Sequence, residues 1–315
     1  MNQHLGHYTS LAFDAMDNPA GNLAVSYLGE DGLRLGRHDG AAWSFDDFAQ
    51  ILLIVVPLAL ALAWTARSLR AKALGYAAAA TITTATLFTY SRGGALALLL
   101  VLALAASGAG VDWRRLALVA LGLALAAGLA APDAFTRRLT TLRQLLPGSE
   151  EVLRPDSSFE KRKLFARVAW RVFLDSPVAD VGVGNYTAHY HEHAEQVGSV
   201  ARQYVDPAER RYPHSLYLQV AAETGLAGLA AFTAVCATGF ALLRRARARF
   251  DAAGDAVAAG LARAVAAGLV GYLVSSLFLH GDFQRYLWLW FAIAAALAGI
   301  AERRRPAASA AAGAV

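Results

Sequence analysis

Arginines that can neutralise a charged leaving group and a histidine that can take up a proton are the residues of this chain with the clearest chemistry. Arg92 stands in Tyr90-Ser91-Arg92-Gly93-Gly94, between apolar runs at 73–89 and 95–106. An arginine at the end of a membrane helix is costly unless it reaches water, headgroups or an anion. It therefore either snorkels to headgroups or serves a site. Arg162, Arg167 and Arg171, with Lys161 and Lys163, share the polar face of an amphipathic stretch at 159–174. That face suits lipid phosphates at a membrane surface or, through one or two guanidinium forks, a specific pyrophosphate. His214 follows Pro213 at the start of an apolar run. A histidine there either accepts a proton from an incoming hydroxyl or merely caps the helix. Glu223, a carboxylate inside the same run, is expensive unless it faces protein interior, where it orients a partner or braces the packing.

The elements that must position these groups are membrane helices. The 315-residue chain is 57% apolar with a mean hydropathy of +0.39, well above the composition of a soluble domain. Seven runs have the length to span a bilayer: 47–65, 73–91, 93–110, 115–131, 215–243, 257–280 and 285–301. The basic sequence pI of about 9.5 does not point to nucleic acid, because the Lys and Arg residues lie in short loops between the runs. The single cysteine, Cys236, excludes an internal disulfide and a cysteine-based metal site. No basic stretch followed by an apolar one marks a cleavable leader in 1–46.

Charge fixes the expected topology. The linkers at 66–72, 108–116, 244–256 and 302–315 carry twelve Lys and Arg residues against four acids, Asp112, Asp251, Asp255 and Glu302. The positive-inside rule makes that side cytoplasmic. The other side receives 1–46, with six acids against Arg34 and Arg37, together with Arg92 and the long segment 132–213. The expected organisation is an external segment 1–46, four spans in 47–131, a large external loop 132–213, three spans in 214–302 and a cytoplasmic tail 303–315. A polar N-terminus on the outside needs earlier spans to carry it there, so the sequence reads as the C-terminal part of a longer protein. The 132–213 loop is too long to lack structure and is expected to be partly helical. Within it, Gly182-Val183-Gly184-Asn185-Tyr186 reads as a glycine-rich turn. His189, His191 and His193 alternate as metal ligands on a strand would, but 186–197 reads as helical, where residues two apart diverge; they are expected to be solvated, and no metal site is assigned.

In this order the stretches resemble the O-antigen ligase family of membrane glycosyltransferases, related to the O-antigen polymerases. The resemblance rests on Thr89-Tyr90-Ser91-Arg92-Gly93-Gly94, on Arg162 with Phe165 and Ala169 ahead of Pro177, and on Gly182-Val183-Gly184-Asn185-Tyr186. It extends to His214-Ser215-Leu216-Tyr217-Leu218-Gln219 running into Glu223-Thr224-Gly225-Leu226, with a weaker match at 44–57 downstream of Arg34 and Arg37. The chain departs from the family pattern at Ser215, where Asn is common, at Asp180, often Gly, and at Asp46-Asp47, which replace a Pro-Asn pair.

The resemblance implies an all-α, polytopic bundle of about seven spans with a long, partly helical periplasmic loop, in the bacterial inner membrane. It implies transfer of a glycan from undecaprenyl diphosphate to the sugar of a lipid A core on the periplasmic face, with inversion and without a metal or other cofactor. By that implication Arg92 and Arg162, with Arg34 or Arg37, hold the diphosphate, and His214 activates the acceptor hydroxyl. Arg167, Tyr217 and Glu223 complete the candidate substrate-binding set. A polysaccharide polymerase or a protein O-oligosaccharyltransferase would use the same donor with another acceptor. A transporter or lipid-binding protein is the alternative outside enzymes, but ionisable groups near the midplane and internal repeats, expected of a transporter, are not seen.

Overall fold

The computed structural model describes residues 28–29, 32–33, 45–89, 91–108, 157–178, 181–197, 212–279 and 284–304. Within them the chain forms eight helices: α1 Phe45–Thr65, α2 Leu69–Phe88, α3 Arg92–Gly108, α4 Ser157–Asp175, α5 Tyr186–Val197, α6 Leu216–Ala252, α7 Ala256–Ser275 and α8 Gln284–Arg303. A two-residue antiparallel pairing, β1 Leu28–Gly29 with β2 Gly32–Leu33, is the strand content among the described residues. The fold class is all-α, as the sequence implies.

Four helices are long and apolar enough to cross a membrane: Asp46–Thr65, Leu216–Ala252, Ala256–Ser275 and Tyr286–Arg303. α3 contributes a shorter apolar stretch, Gly93–Ser107. α2 has twenty residues, but its alanine- and threonine-rich sequence is less apolar. The chain is a multi-pass membrane protein. The expected span at 115–131 falls outside the described residues.

The expected linker at 244–256 is largely helix, because α6 continues past Arg244 and Arg245 to Ala252. Arg and Ala are strong helix formers, so the basic run prolongs the span beyond its apolar part until Gly254, at φ +73, ends it. The sixth span is shorter than expected and stops at Ser275.

α7 is the central helix, with 56% of its most apolar window buried against 17% for α6. It packs on α1, α3, α6 and α8. Apolar burial does not drive helices together in lipid, so close approach through small residues matters more. At Gly268 a Cβ would stand 2.7 Å from the Ile54 carbonyl oxygen, so α1 and α7 meet there only without a side chain. Gln50 of α1 adds a polar clamp, donating to Ser276 Oγ at 2.8 Å and to the Tyr272 carbonyl at 3.3 Å.

α4 and α5 form a second layer on the end of the bundle where α6 begins. Phe165, Val168, Ala169 and Val172 of α4 bury against Tyr186, Tyr190 and Ala194 of α5 and Ala222 of α6. The apolar face of the amphipathic 159–174 stretch is thus covered by protein. α6 is broken at Gly225, whose φ of 61° and ψ of −164° are non-helical. The Leu226 N–H donates to the Pro177 carbonyl at 2.9 Å, and a Cβ on Gly225 would stand 2.9 Å from that oxygen. The break is the seat into which the end of α4 docks.

Candidate active site

The site gathers where α1 and α3 begin and α7 ends, with Arg162 reaching in from α4. Thr89 closes α2, its hydroxyl donating to the Thr86 carbonyl at 2.7 Å. Ser91 caps α3, its Oγ accepting from the Gly94 N–H at 3.0 Å. Arg92 is therefore the first residue of α3. At Gly94 a Cβ would stand 2.8 Å from the Ala49 Cβ, so α3 starts hard against α1. Asp46, Ser91, Gly93, Gly94, Arg162, Ser275, Phe278 and Leu279 line a small cleft at this junction.

Arg162 enters the cleft from α4 and donates to Asp46 Oδ2 at 2.5 Å, with the two side chains 31% and 16% exposed. This charge-assisted bond holds the guanidinium at the mouth of the bundle. Three residues on, on the same helix face, Phe165 stacks against the His214 imidazole with ring centroids 5.7 Å apart and planes inclined by 19°. Tyr190 meets the same phenyl ring edge-on at 5.7 Å. His214 has φ +51, the left-handed region, which a non-glycine residue adopts at a cost and which recurs at functional sites. Immediately after it, the Leu216 N–H, which has no partner within its own helix, donates to the Ser276 carbonyl at 3.0 Å. α4 thus carries both the guanidinium and the ring that supports the His214 imidazole, and the start of α6 is tied to the end of α7.

The glycine-rich turn has a structural task. Gly182 and Gly184 have φ +88 and +80, the Asn185 side chain donates to the Val181 carbonyl at 3.0 Å, and α5 starts at Tyr186. The Tyr186 hydroxyl donates to the Phe165 carbonyl at 3.3 Å, beneath the ring that supports His214. Burial, then the neighbouring Tyr190 and Glu223, push the Tyr186 phenol well above its usual pKa. Glu223 is 7% exposed and faces this interior.

Residues 77–233, about half of the chain, match the family model for O-antigen ligase. The chain belongs to the O-antigen ligase family. O-antigen ligase relatives are glycosyltransferase-like membrane enzymes that act on lipid-linked glycans. A search of curated proteins finds no match. Arg92, Arg162, Phe165, His214 and Glu223 all fall inside the stretch matched to O-antigen ligase.

Of the residues expected at the site, Arg162 lines the cleft, His214 lies against Phe165 three residues along the same helix, and Arg92 starts α3 between Ser91 and Gly93 of the cleft lining. Arg34 and Arg37 lie outside the described residues. Arg167 is exposed on α4 and does not line the cleft. The Tyr217 hydroxyl donates to the Leu273 carbonyl at 2.7 Å, bracing α6 on α7. Asp46 was not among the expected site residues, although an acidic pair opening an apolar helix is itself a signal. Phe165 enters the sequence reading through its apolar spacing and the family resemblance, without a role at the site.

The histidines of α5 differ from the solvated set expected. His193 is 7% exposed, its Nδ1 lies 2.8 Å from the His189 carbonyl, and its Nε2 lies 3.1 Å from Asp175 Oδ2. That contact ties α5 to the end of α4. Helical spacing puts His189, Glu192 and His193 on one face, with ligand atoms within 4.8 Å of one another, close enough to hold a cation.

Proposed function

We propose that the chain is an O-antigen ligase that transfers a glycan from undecaprenyl diphosphate to a sugar hydroxyl of a lipid A core, at the periplasmic face of the bacterial inner membrane. The observation that carries this reading is that α4 sets Phe165 against the His214 ring and, three residues earlier, Arg162 in the cleft with Asp46.

The acceptor hydroxyl gives its proton to the His214 imidazole as its oxygen attacks the anomeric carbon. The bond from that carbon to the diphosphate oxygen breaks, and the electron pair leaves with undecaprenyl diphosphate. Arg162, held in place by Asp46, and Arg92, at the N-terminus of α3, neutralise the charge that grows on the leaving group. Attack from the side opposite the diphosphate inverts the anomeric centre. The basic ends of α6 and α8 lie away from this mouth, which supports an external site by the positive-inside rule.

Complementation of a strain lacking its O-antigen ligase tests the reading. The expected result is a restored lipopolysaccharide ladder that His214→Ala and Arg162→Ala each abolish at unchanged protein level. A well-expressed chain, extended to any upstream in-frame spans, that restores no ladder overturns the lipid A core as acceptor.

A further inference from the structure

At the opposite end of α1 and α7 from the Arg162 cleft, a cavity of about 1180 Å³ opens between α1, α3, α6 and α7. It lies somewhat above the range for small-ligand sites, roughly 300–1,000 Å³. Its inner wall is apolar, with Ala61, Leu104, Phe240 and Val270, and its rim is cationic, with Arg67, Arg244, Arg247, Arg263 and Arg304. Asp255 is the one carboxylate among the described lining residues, and it is already engaged. It accepts from the Ala258 N–H at 3.0 Å and pairs with Arg304 at 3.1 Å. Arg247 pairs with Asp251 at 3.5 Å. Arg67, Arg244 and Arg263 have no carboxylate partner among the described residues.

Arg263 is the decisive member of this cluster. It is half-buried and lies two turns inside α7, at a depth of roughly 10 Å from the helix start. A guanidinium at such a position demands water or an anion. One of its terminal nitrogens lies 3.9 Å from the point a Cβ would occupy at Gly260, so the side chain runs back along α7 toward the rim. Gly260 leaves that path open, with Thr65 of α1 on its other side. Several guanidinium groups around one space repel one another until an anion enters. An apolar wall behind them fits an acyl chain.

We propose that this cavity binds an anionic phospholipid, its phosphate held by Arg263, Arg244 and Arg67 and its acyl chain lying along Phe240 and Leu104. Guanidinium forks match a phosphate in charge and geometry. A net anionic headgroup is preferred to a zwitterionic one, whose own cation competes for the phosphate. The site is separate from the glycan-transfer cleft and does not rest on that reading.

The test uses the full chain in phosphatidylcholine nanodiscs with increasing phosphatidylglycerol, read by native mass spectrometry after extraction and by thermal melting. Wild type is expected to retain phosphatidylglycerol and to melt higher as its fraction rises. Arg263→Gln and Arg244→Gln are expected to lower retention by about tenfold and to remove the rise in melting temperature, with Arg263→Lys in between. Arg70→Gln, an exposed basic change outside the cavity, is expected to behave as wild type. Equal retention of the two lipids overturns the proposal. So does displacement by millimolar inorganic phosphate, which reassigns the rim to a free anion. An equal loss of melting temperature for Arg263→Gln in pure phosphatidylcholine overturns it as well, because the partner of Arg263 is then another part of the chain.

Discussion

At His214 the backbone holds φ +51 while the ring lies on Phe165, so the imidazole is placed by a locally unfavourable conformation that its surroundings enforce. His214→Ala is expected to lower transfer by about 10²–10⁴-fold while donor binding persists, as measured by turnover and by retention of labelled lipid-linked glycan on purified protein. Parallel loss of binding would assign His214 to recognition instead. Arg162 has the reverse expectation, since the proposed mechanism gives it the donor diphosphate to hold. Arg162→Ala is expected to weaken donor retention, and Arg162→Lys to recover part of it without the bidentate geometry. Asp46→Asn removes a partly exposed ion pair and is expected to cost under about 1 kcal/mol in unfolding experiments.

The elements that matter most are the broken helix α6 and the layer of α4 and α5 seated on it. Gly225 combines a positive φ with an extended ψ that only glycine adopts readily. Its missing side chain admits the Pro177 carbonyl. Gly225→Ala is expected to cost at least about 1–3 kcal/mol, seen as a lower melting temperature, and to detach α4, seen as faster proteolysis between 157 and 197. A melt identical to wild type would show that α6 tolerates the break without glycine. Tyr186 reports on the same layer. Its folded pKa is raised above the ordinary 10.0, so below pH 10 both states keep the proton and the layer is unaffected. As pH climbs through 10 the unfolded chain loses the proton first, and folding stability falls. Tyr186→Phe is expected to flatten that alkaline loss when near-ultraviolet circular dichroism is followed against pH.

Across the whole molecule, the two ends of the bundle have different chemistry. One end carries the Asp46–Arg162 pair and, three residues along α4, the Phe165–His214 stack. The other end carries Arg67, Arg244, Arg247, Arg263 and Arg304 around an open cavity. With Cys236 replaced by alanine, Glu192→Cys and Arg70→Cys place single thiols at exposed positions on the two sides. A membrane-impermeant maleimide is expected to label the Glu192→Cys protein once the outer membrane is opened, and the Arg70→Cys protein only after the inner membrane is broken. Labelling in the opposite order would invert the topology and remove the periplasmic reading of the site.

The helical class, most span positions and the two-sided charge distribution are legible in the sequence because a bilayer imposes them locally. Each span must be apolar over a minimum length and satisfy its own backbone hydrogen bonds, so both properties are written in consecutive residues. The expected spans at 47–65 and 285–301 accordingly correspond to α1 and α8 within a few residues. Tertiary structure alone joins Arg162 to Asp46, 116 residues away, slides Phe165 beneath His214, and points Arg263 into a cavity framed by four helices. No local pattern encodes these contacts, because they depend on which small-residue faces let particular helices approach and on where a chain break such as Gly225 admits a neighbour.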